Sequence, residues 1–239
     1  MNILSIFDSD EYVKCIFCGK LVQKSSCAET AGALAVCNHC HSHLPIIPVG
    51  TTFQEHRNYI NYCMAAFFYR SPVREKFLEY KFRHCTAYAD IFAKYMYVYY
   101  STVTNEEEYP DIIVPVPLSK ERFRERGYNQ SELLSAPLAE MLGITHSTES
   151  LIRIRDTVRQ SELPPRERGA NIADAFRADY AGLAGKSVLL IDDVYTTGST
   201  VKECAKTLTD AGARKVCVFT LARQPGIRKS QEYNELLNN

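Results

Sequence analysis

The chain carries no excess of charge: over 239 residues, 28 Lys plus Arg are balanced by 28 Asp plus Glu. That balance excludes a global field steering the molecule to nucleic acid or anionic lipid, so any such contact must be local. Long apolar runs are also missing. No stretch approaches the length needed to span a bilayer, and the opening MNILSIFDSDEYVK lacks the basic segment and long apolar core of a secretory signal. We therefore expect a cytoplasmic protein with no membrane insertion. Hydrophobic residues at 46% and charged residues at 23% lie near ordinary globular usage, which argues against disorder. The length suits one large domain, or a domain with a small appendage.

A secreted disulfide framework is the next exclusion. Nine cysteines are an odd number, and four of them form two Cys-x-x-Cys pairs, Cys15 with Cys18 and Cys37 with Cys40. The knuckles and the spacer between them suit four thiolates closing tetrahedrally around Zn2+. Cys27, His39, His41 and His43 are nearby spares, and a histidine could replace one cysteine as ligand. A set of free thiols, or a redox Cys-x-x-Cys pair, are the competing readings. A closed four-ligand site keeps no open position, so its role is structural or in partner binding rather than catalytic. Cys63, Cys85, Cys204 and Cys217 fall in apolar patterns and read as core.

Further along, the run YINYCMAAFFY at 59–69 predicts a strand, and three- and four-residue apolar steps over 72–100 predict two helices. DIIVPVP at 111–117 predicts a short strand, followed by a polar arginine segment and a helix over 130–142. Pro137 inside that helix predicts a kink or a break. Residues 150–175 are polar and arginine-rich, and predict a long mobile loop. Val188 to Ile191 predicts a buried strand, 199–211 a helix and 216–221 a second strand. Strand, helix and strand in that order form a βαβ unit, so the fold class is α/β with a parallel sheet.

The chemistry gathers after the buried strand. Four apolar residues deliver Asp192 and Asp193 to the carboxyl end of a parallel strand, where open α/β sheets place their ligands. Thr196, Thr197, Gly198, Ser199 and Thr200 follow at a helix N-terminus, which favours a phosphate through free N–H groups and the helix dipole. Adjacent carboxylates can accept hydrogen bonds from neighbouring sugar hydroxyls and counter a divalent cation. The plainer alternative is a helix cap by Ser199 or Thr200 after an ordinary acidic turn. Upstream, KERFRERGYNQ at 120–130 and the loop from Val116 to Ser119 also follow a strand end, so their arginines could face the same pocket. Nine of the ten Lys and Arg residues between 120 and 177 are arginine, whose planar fork suits phosphate, although surface ion pairs are the competing account.

The thirteen residues VLLIDDVYTTGST at 188–200 resemble the binding signature for 5-phosphoribosyl-1-pyrophosphate (PRPP) of type I phosphoribosyltransferases. The resemblance implies that Asp192 and Asp193 hold the ribose 2′ and 3′ hydroxyls, that Thr196 to Thr200 cradle the 5-phosphate, and that Mg2+ arrives with the pyrophosphate. Together with VPVPLSKERFRERGYNQSELL, RIRDTVRQSELPPRERGANIADAF and the four cysteines, the chain resembles the ComF family of competence proteins over nearly its full length. Pro137 and Tyr195 depart from the family pattern as we read it.

This resemblance implies three parts: a zinc module over 1–45, a helical hood region over 46–105 and a phosphoribosyltransferase-like domain over 106–239. Its implied site has Asp192, Asp193 and Arg155 as the catalytic set, the arginine falling in the segment where such enzymes carry a mobile catalytic loop with Gln160, Leu163, Arg168 and Asn171. Pro117, Leu118, Arg126, Tyr195, Thr196, Thr197, Gly198, Ser199 and Thr200 join the two aspartates in holding PRPP. It further implies a role in natural transformation, with single-stranded DNA, a helicase-like ATPase and a second copy of the chain as partners. A metabolic transfer of phosphoribosyl to a nucleobase or amine is the alternative. Aromatics such as Tyr59, Tyr62 and Tyr69 could stack on bases, but read better as core.

Overall fold

The computed structural model describes residues 11–49, 51, 58–105, 108–157 and 164–225. The chain opens with four short strands, β1 (Tyr12–Cys15), β2 (Leu21–Gln23), β3 (Cys27–Ala31) and β4 (Leu34–Cys37), and a one-turn helix α1 (Asn38–His41). They form a sheet in the order β2-β1-β4-β3, in which β1 and β4 run parallel and the other pairs antiparallel. There follow β5 (Tyr62–Phe68), α2 (Val73–Phe82), α3 (Tyr88–Val103), β6 (Ile112–Pro115), α4 (Lys120–Arg126), α5 (Gln130–Leu142) and β7 (Thr145–His146). The remainder is β8 (Leu151–Arg153), α6 (Arg168–Ile172), β9 (Phe176–Ala178), α7 (Tyr180–Leu183), β10 (Ser187–Tyr195), α8 (Ser199–Asp210) and β11 (Lys215–Arg223).

The main sheet has the order β5-β11-β10-β6-β7, and every pairing in it is parallel. Its central strand shows why the sequence reads as a continuous apolar run. Leu189 and Ile191 enter one core with Phe67, Phe219 and the helices α2, α3 and α5. Val188 and Leu190 enter the opposite core with Val218 and the α8 residues Val201, Cys204, Ala205 and Leu208. A strand covered on both faces has no polar side to alternate with. The expected βαβ unit is β10-α8-β11, with Leu189 in register with Cys217.

The four-cysteine sheet shares the first of these cores: Ile16, Val36, Leu44 and Ile47 pack in the same cluster as Phe67, Tyr95 and Met96. Polar contacts reinforce the seam, with His41 Nδ1 2.8 Å from the Tyr95 hydroxyl and Lys94 Nζ donating to the Thr30 carbonyl.

One expectation is narrowed and one is corrected. α5 runs from Gln130 to Leu142 with Pro137 inside it, so the proline makes no break. Leu134, Leu138 and Ala139 on its buried face, together with the Asn129 cap that accepts from Ser131 N at 3.1 Å, outweigh the lost backbone bond. The stretch 150–175 is not simply a loop. β8 pairs antiparallel with β9, Leu151 and Ile172 are buried, and a helical turn occupies Arg168–Ile172. Residues 158–163, with Gln160 and Leu163, lie outside the described residues, as does the polar tail beyond Pro225.

Candidate functional site

β10 continues past its apolar stretch to Tyr195, so Asp192 and Asp193 are strand residues at its carboxyl end. A cavity of about 440 Å³ opens over them. The structure brings ten of the expected residues to its wall: Pro117, Leu118, Arg126, Asp192, Asp193, Tyr195, Thr196, Gly198, Ser199 and Thr200. Thr197 is off the wall, its Oγ1 lying 3.0 Å from Ser199 Oγ. Arg155 is also off the wall, with Nη2 donating to the Asn171 carbonyl at 3.1 Å and to the Ala173 carbonyl.

Local sequence explains the shape of the floor. Gly198 is the N-cap of α8 with φ 75°, a conformation that favours glycine, and no side chain caps the helix. The alternative of a Ser199 or Thr200 cap therefore fails: both lie inside the first turn. Its leading N–H groups remain for water or a ligand at the positive end of the helix dipole.

The carboxylates are held in place. Asp192 Oδ1 accepts from Ser131 Oγ at 3.1 Å and from the Asp193 backbone N–H at 2.8 Å. Asp193 Oδ1 accepts from Val194 N at 2.6 Å, and Oδ2 from Lys81 Nζ at 2.8 Å. Burial, and then the neighbouring Asp193 carboxylate, push the Asp192 carboxyl up to about 7. Burial also lowers the guanidinium groups of Arg126 and Arg153, each with Arg122 nearby as an unfavourable like charge. Arg126 is aimed by Gln130 Oε1, which accepts from its Nη1 at 2.9 Å, and by the Phe82 ring 5.4 Å away.

The wall thus sets four cations, Lys81, Arg122, Arg126 and Arg153, against two carboxylates, Asp192 and Asp193. Such a balance suits an anionic ligand whose other end offers hydroxyls. Sequence reasoning missed Lys81, Arg153 as a wall residue, and the apolar side of the cavity made by Tyr69, Phe77, Leu78 and Phe82. Lys81 stands 112 residues from Asp193, so no local pattern could pair them.

A second site lies at the amino-terminal sheet. One ligand atom from each of Cys15, Cys18, Cys37 and Cys40 lies within 4.8 Å of the others, a cluster able to hold a metal ion. Gly19, at φ 74°, turns the first knuckle, with its N–H bonded to the Cys15 carbonyl at 2.9 Å. Cys37 caps α1 and accepts at Sγ from Cys40 N at 3.5 Å. Burial raises the Cys15 thiol, but hydrogen bonds from the backbone of Cys18, Cys37 and Phe17 outweigh it and bring the group to about 7. Three of the four spares are engaged elsewhere: Cys27 Sγ with the Gln23 carbonyl, His43 Nδ1 with the His39 carbonyl and His41 with Tyr95. No helix among the described residues is long and apolar enough to cross a membrane.

A family model described as the phosphoribosyl transferase domain matches residues 134–236. DNA utilization protein YhgH of Salmonella typhi is 44% identical over 114 residues, 48% of this chain and 50% of that protein. The chain spans about half the length of that relative. Competence protein ComFC of Bacillus subtilis (strain 168) is 30% identical over 230 residues, 92% of this chain and 88% of that one. A solved structure of the B. subtilis glutamine PRPP amidotransferase, complexed with ADP and GMP, aligns with a TM-score of 0.41 at 21% identity, covering 60% of this chain and 30% of the other.

A parallel α/β sheet with its acidic strand end, and the family model over residues 134–236, define a phosphoribosyltransferase-type domain. The match to ComFC extends over 92% of the chain, well beyond the residues that the family model covers. The chain belongs to the ComF family of competence proteins.

Proposed function

We propose that this protein binds PRPP together with Mg2+ in the cavity over β10, and that it acts in the cytoplasm in natural competence, in the uptake of single-stranded DNA. The observation that carries the ligand is the juxtaposition of Asp192 and Asp193 with the uncapped start of α8 at Gly198. In this reading the two carboxylates accept from the ribose 2′ and 3′ hydroxyls. The N–H groups and hydroxyls from Thr196 to Thr200 hold the 5-phosphate. Arg126 and Arg153, also on the cavity wall, meet the pyrophosphate. Mg2+, carried in by the pyrophosphate, supplies charge neutralisation; the acidic pair beside the cationic wall fits such a mixed ligand.

The names of the relatives, competence and DNA utilization, support the DNA side of the reading. A helicase-like ATPase and a second copy of the chain are its proposed partners. For the cysteine cluster we propose Zn2+, the ion whose tetrahedral geometry four thiolates match.

A second reading, transfer of the phosphoribosyl group to an acceptor, is favoured by Tyr69, Phe77 and Phe82 on the cavity wall, which suit a flat ring. The C1–oxygen bond to pyrophosphate would break as an acceptor nitrogen bonds to C1, through an oxocarbenium-like transition state. The aspartates would position the ribose and the arginines stabilise the departing charge.

Calorimetric titration with PRPP, with and without Mg2+, tests the ligand. We expect Mg2+-dependent binding that weakens roughly ten- to hundredfold in D192N or D193N, with fold and metal content retained. Unchanged affinity in both variants would overturn the assignment. Pyrophosphate release on adding a base separates transfer from binding alone. For DNA, affinity for a single strand should fall steeply with salt, with a log–log slope of about −0.7 per phosphate contacted. No binding at low salt removes a direct DNA role.

A further inference from the structure

The acidic pair at the end of β10 has a third member from outside the stretch that the phosphoribosyltransferase family model covers. Lys81, in the last turn of α2, donates from Nζ to Asp193 Oδ2 at 2.8 Å, and the two side chains are only 21% and 15% exposed. An ion pair this far out of water depends on its geometry more than a surface pair does. The fold prepares that geometry. Asp193 shares the strand face of Leu189 and Ile191, the side on which Phe77 and Tyr80 of α2 are packed.

The helix that carries Lys81 is itself tied down. Phe77 and Tyr80 are buried, and the Lys81 ammonium lies 5.1 Å from the Phe77 ring centroid. The Tyr80 hydroxyl donates to the Gln130 carbonyl at 2.8 Å, and the Tyr128 hydroxyl donates to the Tyr80 carbonyl. α2 is thereby joined to the start of α5, whose Ser131 reaches Asp192.

These contacts give each Asp193 oxygen one fixed donor, Val194 N on Oδ1 and Lys81 Nζ on Oδ2. A carboxylate anchored at both oxygens cannot rotate, and each oxygen keeps lone-pair capacity for a further donor. We propose that Lys81 is a positioning residue: it fixes the orientation of the Asp193 carboxylate so that its remaining lone pairs meet a sugar hydroxyl. The pyrophosphate falls instead to Arg126 and Arg153, and the 5-phosphate to the start of α8. This role rests on the reading of the cavity as a sugar-phosphate site.

If Lys81 acts through Asp193, its removal matters only while Asp193 is a carboxylate that needs orienting, which a double-mutant cycle detects. The experiment is calorimetric titration of wild type, K81M, D193N, K81M/D193N and K81R with PRPP and Mg2+, with thermal melting as a fold check. We expect K81M to weaken binding about tenfold, K81R to restore most of it, and K81M to add less than about twofold in the D193N background. Equal loss in both backgrounds would mean that Lys81 meets the ligand itself, and unchanged affinity in K81M would mean that it orients nothing; either overturns the proposal. Should K81M fail to fold, K81Q replaces it in the cycle. Absence of wild-type binding would refute the sugar-phosphate reading and this role with it, whereas wild-type binding with an additive cycle refutes the role alone.

Discussion

Arg153 and Arg155, two residues apart, serve different surroundings: Arg153 lines the cavity, while Arg155 donates to the Asn171 and Ala173 carbonyls. Arg153 is braced by the Phe176 ring 5.5 Å away and by its bonds to the Arg155 carbonyl and the Thr157 hydroxyl. R153A should weaken Mg2+–PRPP binding about tenfold and flatten its salt dependence, since a charge-assisted contact is lost. R155A should leave the affinity within about twofold, because a tie between backbone segments is lost and no ligand contact. Hydrogen exchange around 171–175 should then rise in R155A. Equal losses of affinity in the two variants would remove the distinction.

The raised carboxyl of Asp192 makes ligand binding depend on pH. Below about 7 the group is protonated, and above it ionised. Sugar hydroxyls donate better to the ionised form, so Mg2+–PRPP affinity should climb through this range, more in wild type than in D192N. Folding stability should move the other way. Between the ordinary carboxylate range and about 7 the folded state binds more protons than the unfolded chain, so this group's contribution is present at low pH and is lost as pH rises through about 7. Denaturant titrations of D192N and wild type at pH 5 and 8 check the sign: the wild-type loss between these values should be the larger.

Metal loss should be felt beyond the cysteines. Ile16 and Val36, each beside a cysteine of the cluster, belong to the same core as Tyr95 and Phe67. C15S or C37S should abolish stoichiometric zinc and lower Tm by roughly 5–10 °C, as a loss of a few kcal/mol does in a chain of this size. Hydrogen exchange should rise in α3 as well as in the cysteine sheet. Unchanged zinc content would sink the four-cysteine assignment.

Much of the fold was legible because its elements are long and periodic. The β10-α8-β11 unit and α5 carry patterns that only a buried strand or a half-buried helix produces. The cysteine cluster was legible for a different reason, since ligand spacing is set by the metal rather than by the chain. Elements of three residues carry no period, which is why the sequence at 151–153 reads as loop although β8 forms there. Strands such as β3, with every residue half-buried, hide their docking surface in the same way. In the site, residues contributed by the signature were visible and those contributed by α2 were not: Lys81 reaches Asp193 only because α2 packs across the carboxyl end of the sheet, a relation that no local window contains.

The strand order carries a consequence for how the protein is made. β5 is an edge strand: among the described residues its neighbour in the main sheet is β11, with Tyr62 in register with Cys217, and its other edge is bridged by Ile46 at Phe67. Of the five strands of this sheet β5 emerges first during synthesis, and the strand that completes it leaves the ribosome last. Until then its apolar residues from Cys63 to Phe67 have no partner strand, and closing so long a loop is slow. A nascent chain should therefore pass through a stage in which an adhesive edge is exposed, and its safe folding depends on what shelters that edge until β11 has left the ribosome.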